Sequence, residues 1–309
     1  MDFDLLCFGE AMMELTALGD GTYKAGYGGD TSNCAIAAAR QGGRTGYVTA
    51  VGDDAFGRDL MALWYREGVA TRFVRTDPAA PTGLYIVTPS PAGRDFAYYR
   101  AGSAASRYTA DELPVDALRR TRIVQLSGIS QAVGEGPRDA GIALIEAARD
   151  AGCEVAYDTN LRLKLWDLAR AREVMHAAVA RCTIALPSID DSVVLTGLDD
   201  ADAIADFYLA LGPRIVALKM GAEGALIATD RERWRLAPHP VSPVDATGAG
   251  DTFDGAFLSR LAAGDGPVEA GRYAGAAAAL TTTGYGAVAP IPTADQVRVA
   301  LGSVSGPGE

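Results

Sequence analysis

The chain has little of what histidine-based chemistry requires. Its 309 residues include two histidines, His176 and His239, too few parts for a histidine triad or a histidine-ligated metal centre; places on the surface or a helix face account for both. The four cysteines, Cys7, Cys34, Cys153 and Cys182, lie singly in apolar stretches with no C-x-x-C pair, which suits reduced core residues better than disulfides or zinc. No apolar run reaches the roughly 18 residues of a membrane span, so no membrane partner is expected. Basic residues are the scarcer charge: 28 Lys and Arg against 39 Asp and Glu leave a net charge of −11. That balance argues against a nucleic-acid partner, which is held by cations neutralising phosphates, and an anionic ligand would need a local basic pocket. The start, Met1-Asp2-Phe3-Asp4, is acidic where a secretory leader is basic, and the expected location is the cytoplasm.

What is present is apolar and glycine-rich, 49% hydrophobic with 36 glycines, the composition of a soluble globular protein with many tight turns. Apolar runs at Leu5–Phe8 and Gly46–Val51 flank a helical segment from Ser32 to Gln41, a βαβ unit. Gly57–Glu67 reads as the next helix, stopped by Gly68. Thr71–Arg75, Leu84–Thr88 and Phe96–Arg100 follow with turn residues and no helix between them, which predicts an antiparallel patch. From Arg122 onward strands near Ile123–Leu126, Glu154–Tyr157, Ile184–Leu186 and Ile215–Lys219 alternate with helices near Arg138–Ala151, Ala169–Arg181 and Ala201–Leu211. The expected class is α/β, a mainly parallel sheet flanked by helices. A hairpin at Leu226–Leu236, a helix from about Asp251, an alanine-rich helix at Val268–Thr281 and a last one at Ala294–Leu301 complete the chain. Residues 1–302 read as one domain and 303–309 as a disordered tail.

Gly248-Ala249-Gly250-Asp251 is the sharpest chemical signal. Small residues before a helix let backbone N–H groups converge on an anion at the positive helix end, and Asp251 there would be kept ionised by the dipole and able to accept a hydroxyl proton. Read alone, the segment fits a glycine turn with Asp251 as a helix N-cap equally well. Gly28-Gly29-Asp30-Thr31-Ser32-Asn33 is a second glycine turn entering a helix. It offers Asp30 and Asn33 to a polyhydroxylated ligand, or Thr31 or Ser32 as a plain N-cap.

Together the two segments resemble the paired signatures of the ribokinase-like (PfkB) carbohydrate kinases, Gly28 to Asn33 the first and Asp245 to Asp251 the second, about 200 residues apart. The resemblance runs from about Leu5 to Pro292. It implies a Rossmann-like ribokinase fold with a small β-sheet lid, formed mainly by residues 12–28 and 71–100. It implies ATP and Mg2+ as cofactors and K+ as a further candidate. Asp251 would be the catalytic base, with Gly248, Ala249 and Gly250 as the anion hole, and Gly29, Asp30 and Asn33 would hold the sugar. The ATP site would comprise Lys219, Gly221, Ala222, Glu223 and Gly224 with Asn160, Arg162, Ser188 and the glycines Gly248 and Gly250. Where many members carry Asn-x-x-Glu, this chain has Ser188-Ile189-Asp190-Asp191, so Asp191 is the candidate for a magnesium-bound water. Asp245 and Thr247 are candidates for a monovalent cation, and a homo-oligomer is expected.

Three segments containing Tyr85, Tyr98-Tyr99-Arg100 and Asp158-x-Asn160-x-Arg162 look like 2-keto-3-deoxygluconate kinases within that family. Arg100 and Arg162 suit a sugar-acid carboxylate and the tyrosines its keto and hydroxyl oxygens; the arginines also fit ordinary surface pairing. Fructokinase-, ribokinase- and 5-keto-2-deoxygluconate-kinase-like readings share the scaffold. A catalytically silent sugar-acid sensor is disfavoured by the intact Asp251 turn, and a nicotinamide oxidoreductase by the lack of G-x-G-x-x-G after the first strand.

Overall fold

The computed structural model describes residues 1–90 and 93–304. In chain order the elements are β1 (Phe3–Phe8), β2 (Met12–Ala17), β3 (Tyr23–Gly28), α1 (Asp30–Arg40), β4 (Thr45–Gly52), α2 (Ala55–Arg66), β5 (Ala70–Asp77), β6 (Leu84–Ser90), β7 (Gly93–Tyr99), α3 (Val115–Leu118), β8 (Thr121–Ser127), α4 (Gly128–Ala132), α5 (Glu135–Asp150) and β9 (Glu154–Asp158). There follow α6 (Leu168–Val179), β10 (Ile184–Ala185), α7 (Ile189–Thr196), α8 (Ala201–Leu211), β11 (Ile215–Lys219), β12 (Ala225–Ala228), β13 (Arg233–Leu236), α9 (Ala249–Ala263), α10 (Pro267–Thr281) and α11 (Ala294–Val304).

The large sheet has the order β13-β12-β11-β10-β9-β8-β1-β4-β5, parallel from β11 to β5 and closed at the other edge by the antiparallel hairpin β12–β13. Its central strands are buried on both faces, so they read as continuous apolar runs. In β1, Leu5 and Cys7 point into one core with α1, α9 and α10, while Leu6 and Phe8 point into the other with α5, α6 and α8. All four cysteines are buried and unpaired. No helix among the described residues is long and apolar enough to cross a membrane.

The smaller sheet has the order β3-β2-β6-β7. Two expectations are corrected here. Thr71–Arg75 belongs to β5, which pairs in parallel with β4 in the large sheet, because α2 makes the crossover and Phe73 and Val74 pack toward opposite cores. The small sheet is instead made by 12–28 and 84–99, and β2 runs parallel to β6, so it is mixed and not purely antiparallel. At the chain end, α11 continues to Val304, two residues into the segment expected to be a tail; residues 305–309 lie outside the described residues.

Helices α1 and α9 approach closely because small residues line their contact. A Cβ on Gly255 would stand 2.3 Å from the Cys34 carbonyl oxygen and 2.7 Å from Ala37 Cβ. Trp64 of α2, fully buried, donates from Nε1 to Ser32 Oγ at 2.8 Å and packs on Tyr47, which fixes α1 from the other side. The amino termini of α1 and α9 therefore converge at the carboxyl end of the strands, the usual place for a ligand crevice in an open α/β sheet. Gly255→Ala would raise helix propensity yet push the helices apart; it is expected to lower stability by about 1–3 kcal/mol, read as a fall in thermal midpoint, and to impair the site above it.

Candidate active site

Asn33 Nδ2 donates to Asp251 Oδ2 at 2.8 Å, tying the first turn of α1 to the first turn of α9. Gly29 is the residue before α1, with φ 124°, and a Cβ there would lie 2.5 Å from the Glu10 carbonyl oxygen. Gly248 plays the same part at α9: its φ is 76°, and a Cβ would lie 2.8 Å from the Ala287 carbonyl oxygen. Both positions demand glycine. The helix ladder of α9 starts when Thr252 N–H donates to Gly248 O at 2.9 Å. The first-turn amides of Gly250 and Asp251 thus lack a helical acceptor and are available to an anion. Ala249 differs from expectation: its N–H donates to the Ala246 carbonyl at 3.2 Å, closing the turn instead of facing a ligand.

The position at a helix terminus predicts a fully ionised Asp251. Burial dominates instead, and with the charge of Asp30 it pushes the Asp251 carboxyl up to about 7, against the opposing pull of the Asn33 hydrogen bond and the Lys219 charge. A carboxylate with that affinity for protons is suited to a general base near neutral pH. Asp30 is likewise raised by burial and by Asp158. Asn160 Nδ2 donates to Asp30 Oδ2 at 2.9 Å, and Asn160 is the only non-glycine residue with positive φ among the described residues, at 31°. Its placement holds Asp30 from the opposite side of the crevice.

Beside this group Lys219, at the end of β11, is enclosed by two carboxylates. Its Nζ donates to Asp158 Oδ1 at 3.1 Å and to both oxygens of Asp254 at 2.9 Å. The two anions outweigh burial and raise its affinity for the proton, so the lysine stays charged.

On the small-sheet side, Arg100 forms an ion pair with Glu10, whose Oε1 also accepts from Ser103 Oγ at 2.7 Å. Tyr85 donates to Glu14 and packs against Tyr98, over which Arg100 sits at 5.9 Å. Tyr99 does not join them. The pleat turns it to the opposite face of β7, opposite Leu84, where it is 61% exposed. Asp30 Oδ1, Asn33 Oδ1 and Arg100 Nε are buried with no hydrogen-bond partner in the protein, two acceptors and a donor whose hydrogen-bonding capacity the chain itself leaves unused.

Arg162 is exposed, donates to the Leu161 carbonyl at 2.8 Å, and acts through its charge on both Asp30 and Asp191. Asp191 accepts from Leu161 N–H at 3.0 Å, and Ser188 caps α7 by accepting from Asp191 N–H. Gly221, Ala222 and Glu223 form an exposed helical turn and Gly224, with φ 89°, folds it back into β12. Asp245 accepts from Thr247 N–H and Oγ1 and from Gly286 N–H, which bends 245–251 into the turn before α9.

The pfkB family carbohydrate kinase model matches residues 2–294. The chain belongs to that family. It is 33% identical over 286 residues to a probable fructokinase-4 of Arabidopsis thaliana, covering 89% of this chain and 87% of the relative. It is 32% identical over 288 residues to a 2-dehydro-3-deoxygluconokinase of Thermoproteus tenax, with 89% and 87% covered. Among solved structures, the aminoimidazole riboside kinase of Salmonella enterica complexed with aminoimidazole riboside and an ATP analog superposes with a TM-score of 0.88 at 28% identity, over 96% of this chain and 99% of that one. The fold is ribokinase-like, and the protein is a carbohydrate kinase by family.

Sequence reasoning passed over Glu10, Glu14 and Asp254. Each is an acid next to apolar residues with no basic partner nearby in sequence, and that was the only available signal. Two outcomes follow from Asp251. A general base works only when ionised, so with Asp251 in that part kcat/KM is expected to fall as pH drops through about 7, not about 4. Its raised folded-state pKa also means that ionisation opposes folding, an effect absent below about pH 4 and complete above pH 7. Asp251→Asn is therefore expected to abolish turnover while raising the thermal midpoint at pH 8 by about 2–5 °C.

Proposed function

We propose that the protein transfers the terminal phosphoryl group of Mg-ATP to the primary hydroxyl of a sugar acid, 2-keto-3-deoxy-D-gluconate, giving its 6-phosphate. The observation that carries the acid reading is Arg162, a guanidinium exposed beside Asp30 in the crevice and fixed by the Leu161 carbonyl. A carboxylate there gains a charge-assisted, planar contact. Arg100, with its open Nε, and the Tyr85–Tyr98 pair face the same ligand. The relative named 2-dehydro-3-deoxygluconokinase supports the same substrate.

The sugar is held by Asp30 and Asn33, and its hydroxyl lies against Asp251. Asp251 takes the hydroxyl proton as the oxygen attacks the terminal phosphorus in line; the amides of Gly250 and Asp251 and the positive end of α9 stabilise charge on the transferring group. The exposed turn Gly221–Glu223 and Asn160 border the nucleotide. The solved relative with an ATP analog supports ATP as donor. Magnesium fits as a companion of the triphosphate: no cluster of three or more acidic, histidine or cysteine side chains is set to hold a metal among the described residues. Asp191 offers the single carboxylate that magnesium commonly takes beside phosphates. Bound there it would neutralise phosphate charge. Asp245 and Thr247, already turned into the loop before α9, are the groups for a monovalent cation, whose charge would steady that turn.

A neutral ketose is the second reading. It is favoured by Glu10, which already cancels the charge of Arg100, and by the fructokinase relative. ADP release measured with 2-keto-3-deoxygluconate, its galactonate epimer, 5-keto-2-deoxygluconate, fructose and ribose separates the two. The sugar acid is expected to lead, and Arg162→Leu to lower kcat/KM for it about 100-fold with little effect on fructose. Preference for fructose, untouched by Arg162→Leu, would replace the acid reading with the neutral one.

A further inference from the structure

The Asp158–Lys219–Asp254 group is more elaborate than a lysine at a phosphate site requires. Asp158 alone would neutralise Lys219, yet α9 buries a second carboxylate, Asp254, 1% exposed at its side chain, against the same ammonium. Burying an extra charge is unfavourable unless the geometry it imposes matters. Asp254 lies one helical turn beyond Gly250 and Asp251, so its side chain reaches back toward the amino terminus of α9. The ammonium it holds stands 3.8 Å from the Cβ position of Gly250, against the backbone whose amide is open to an anion. Four buried or half-buried carboxylates, Asp30, Asp158, Asp251 and Asp254, face this spot. A triphosphate entering it would meet repulsion from all four, and Lys219 is the cation that interrupts them.

We propose that Asp254 is a positioning residue for phosphoryl transfer: with Asp158 it locks the Lys219 ammonium against the Gly250 turn, so that the lysine faces the terminal phosphoryl group of the nucleotide. A lysine ammonium has N–H donors in three directions. The contacts to Asp254 and the bond to Asp158 hold it from two sides, and an incoming phosphoryl oxygen would meet it on the side of the Gly250 turn. Without Asp254 the flexible lysine stem has one anchor, and the ammonium collapses onto Asp158. The inference rests on the reading of the Gly248–Asp251 turn as the phosphoryl site, and it assigns to Asp254 a role in triphosphate recognition that is separate from proton transfer.

The test is calorimetric binding of Mg-ADP and of a Mg-bound β,γ-imido ATP analogue to the wild type, to Asp254→Asn, and to Lys219→Met/Asp254→Asn. The double variant removes one charge of each sign and so preserves the balance of the core if the single variant fails to fold. The analogue is expected to lose about tenfold in affinity in each variant that folds, with ADP binding within twofold of wild type. In steady state kcat falls while KM for the sugar is unchanged. A merely structural role would weaken both nucleotides together. An unchanged ratio of analogue to ADP affinity in the double variant would overturn the proposal. Wild-type protein that bound neither nucleotide would instead remove the site reading beneath it, and the proposal with it.

Discussion

The close crossing of α1 and α9 is the constraint on which the rest of the site depends. Gly255 leaves room for the Cys34 carbonyl where any side chain would intrude, and the alanines of both helices keep the contact thin. At that separation Asn33 reaches Asp251, while the Gly29 turn lies against the Glu10 backbone. Two helix amino termini then face one crevice, which supplies amides and positive dipole ends to a region otherwise dominated by carboxylates.

Concentrating acids in that way has a chemical consequence. Burial raises the proton affinity of Asp30 and Asp251; the charge of Asp158 adds to the rise in both, and that of Asp30 adds to the rise in Asp251. A base that would be too weak at its ordinary value of 3.8 becomes one matched to neutral pH. The counter-charges are few and each is assigned: Lys219 to Asp158 and Asp254, Arg100 to Glu10, and Arg162 to the rim. In a chain of net charge −11, Lys219 and Arg100 are thus held by carboxylates, and Arg162 stays exposed.

Both glycine turns were legible in the sequence because their requirement is local: a positive φ and a close backbone neighbour leave glycine as the residue that fits. The parallel core was legible from its alternation of apolar runs and helical spacing. Membership of β5 was not, since Thr71–Arg75 has the same local pattern whether it joins the large sheet or the small one, and the choice is made by the packing of Phe73 and Val74. Tyr98 and Tyr99 looked equivalent until the pleat separated them. Glu10 and Asp254 were hidden for a different reason. Their partners lie far along the chain, with Ser103 93 residues from Glu10 and Lys219 35 from Asp254, and no spacing rule connects them. The state of Asp251 was misjudged because a helix terminus is visible in sequence and burial is not.

The most direct test of this account is the pH–rate profile of Asn33→Ala beside that of the wild type. If the bond across the α1–α9 crossing sets the basicity of Asp251, removing it withdraws stabilisation from the ionised carboxylate, and the acid limb of kcat/KM moves to higher pH. A limb that stays where the wild type has it, with only the sugar KM changed, would show that Asn33 serves the ligand alone and would contradict the claim that the helix crossing tunes the base.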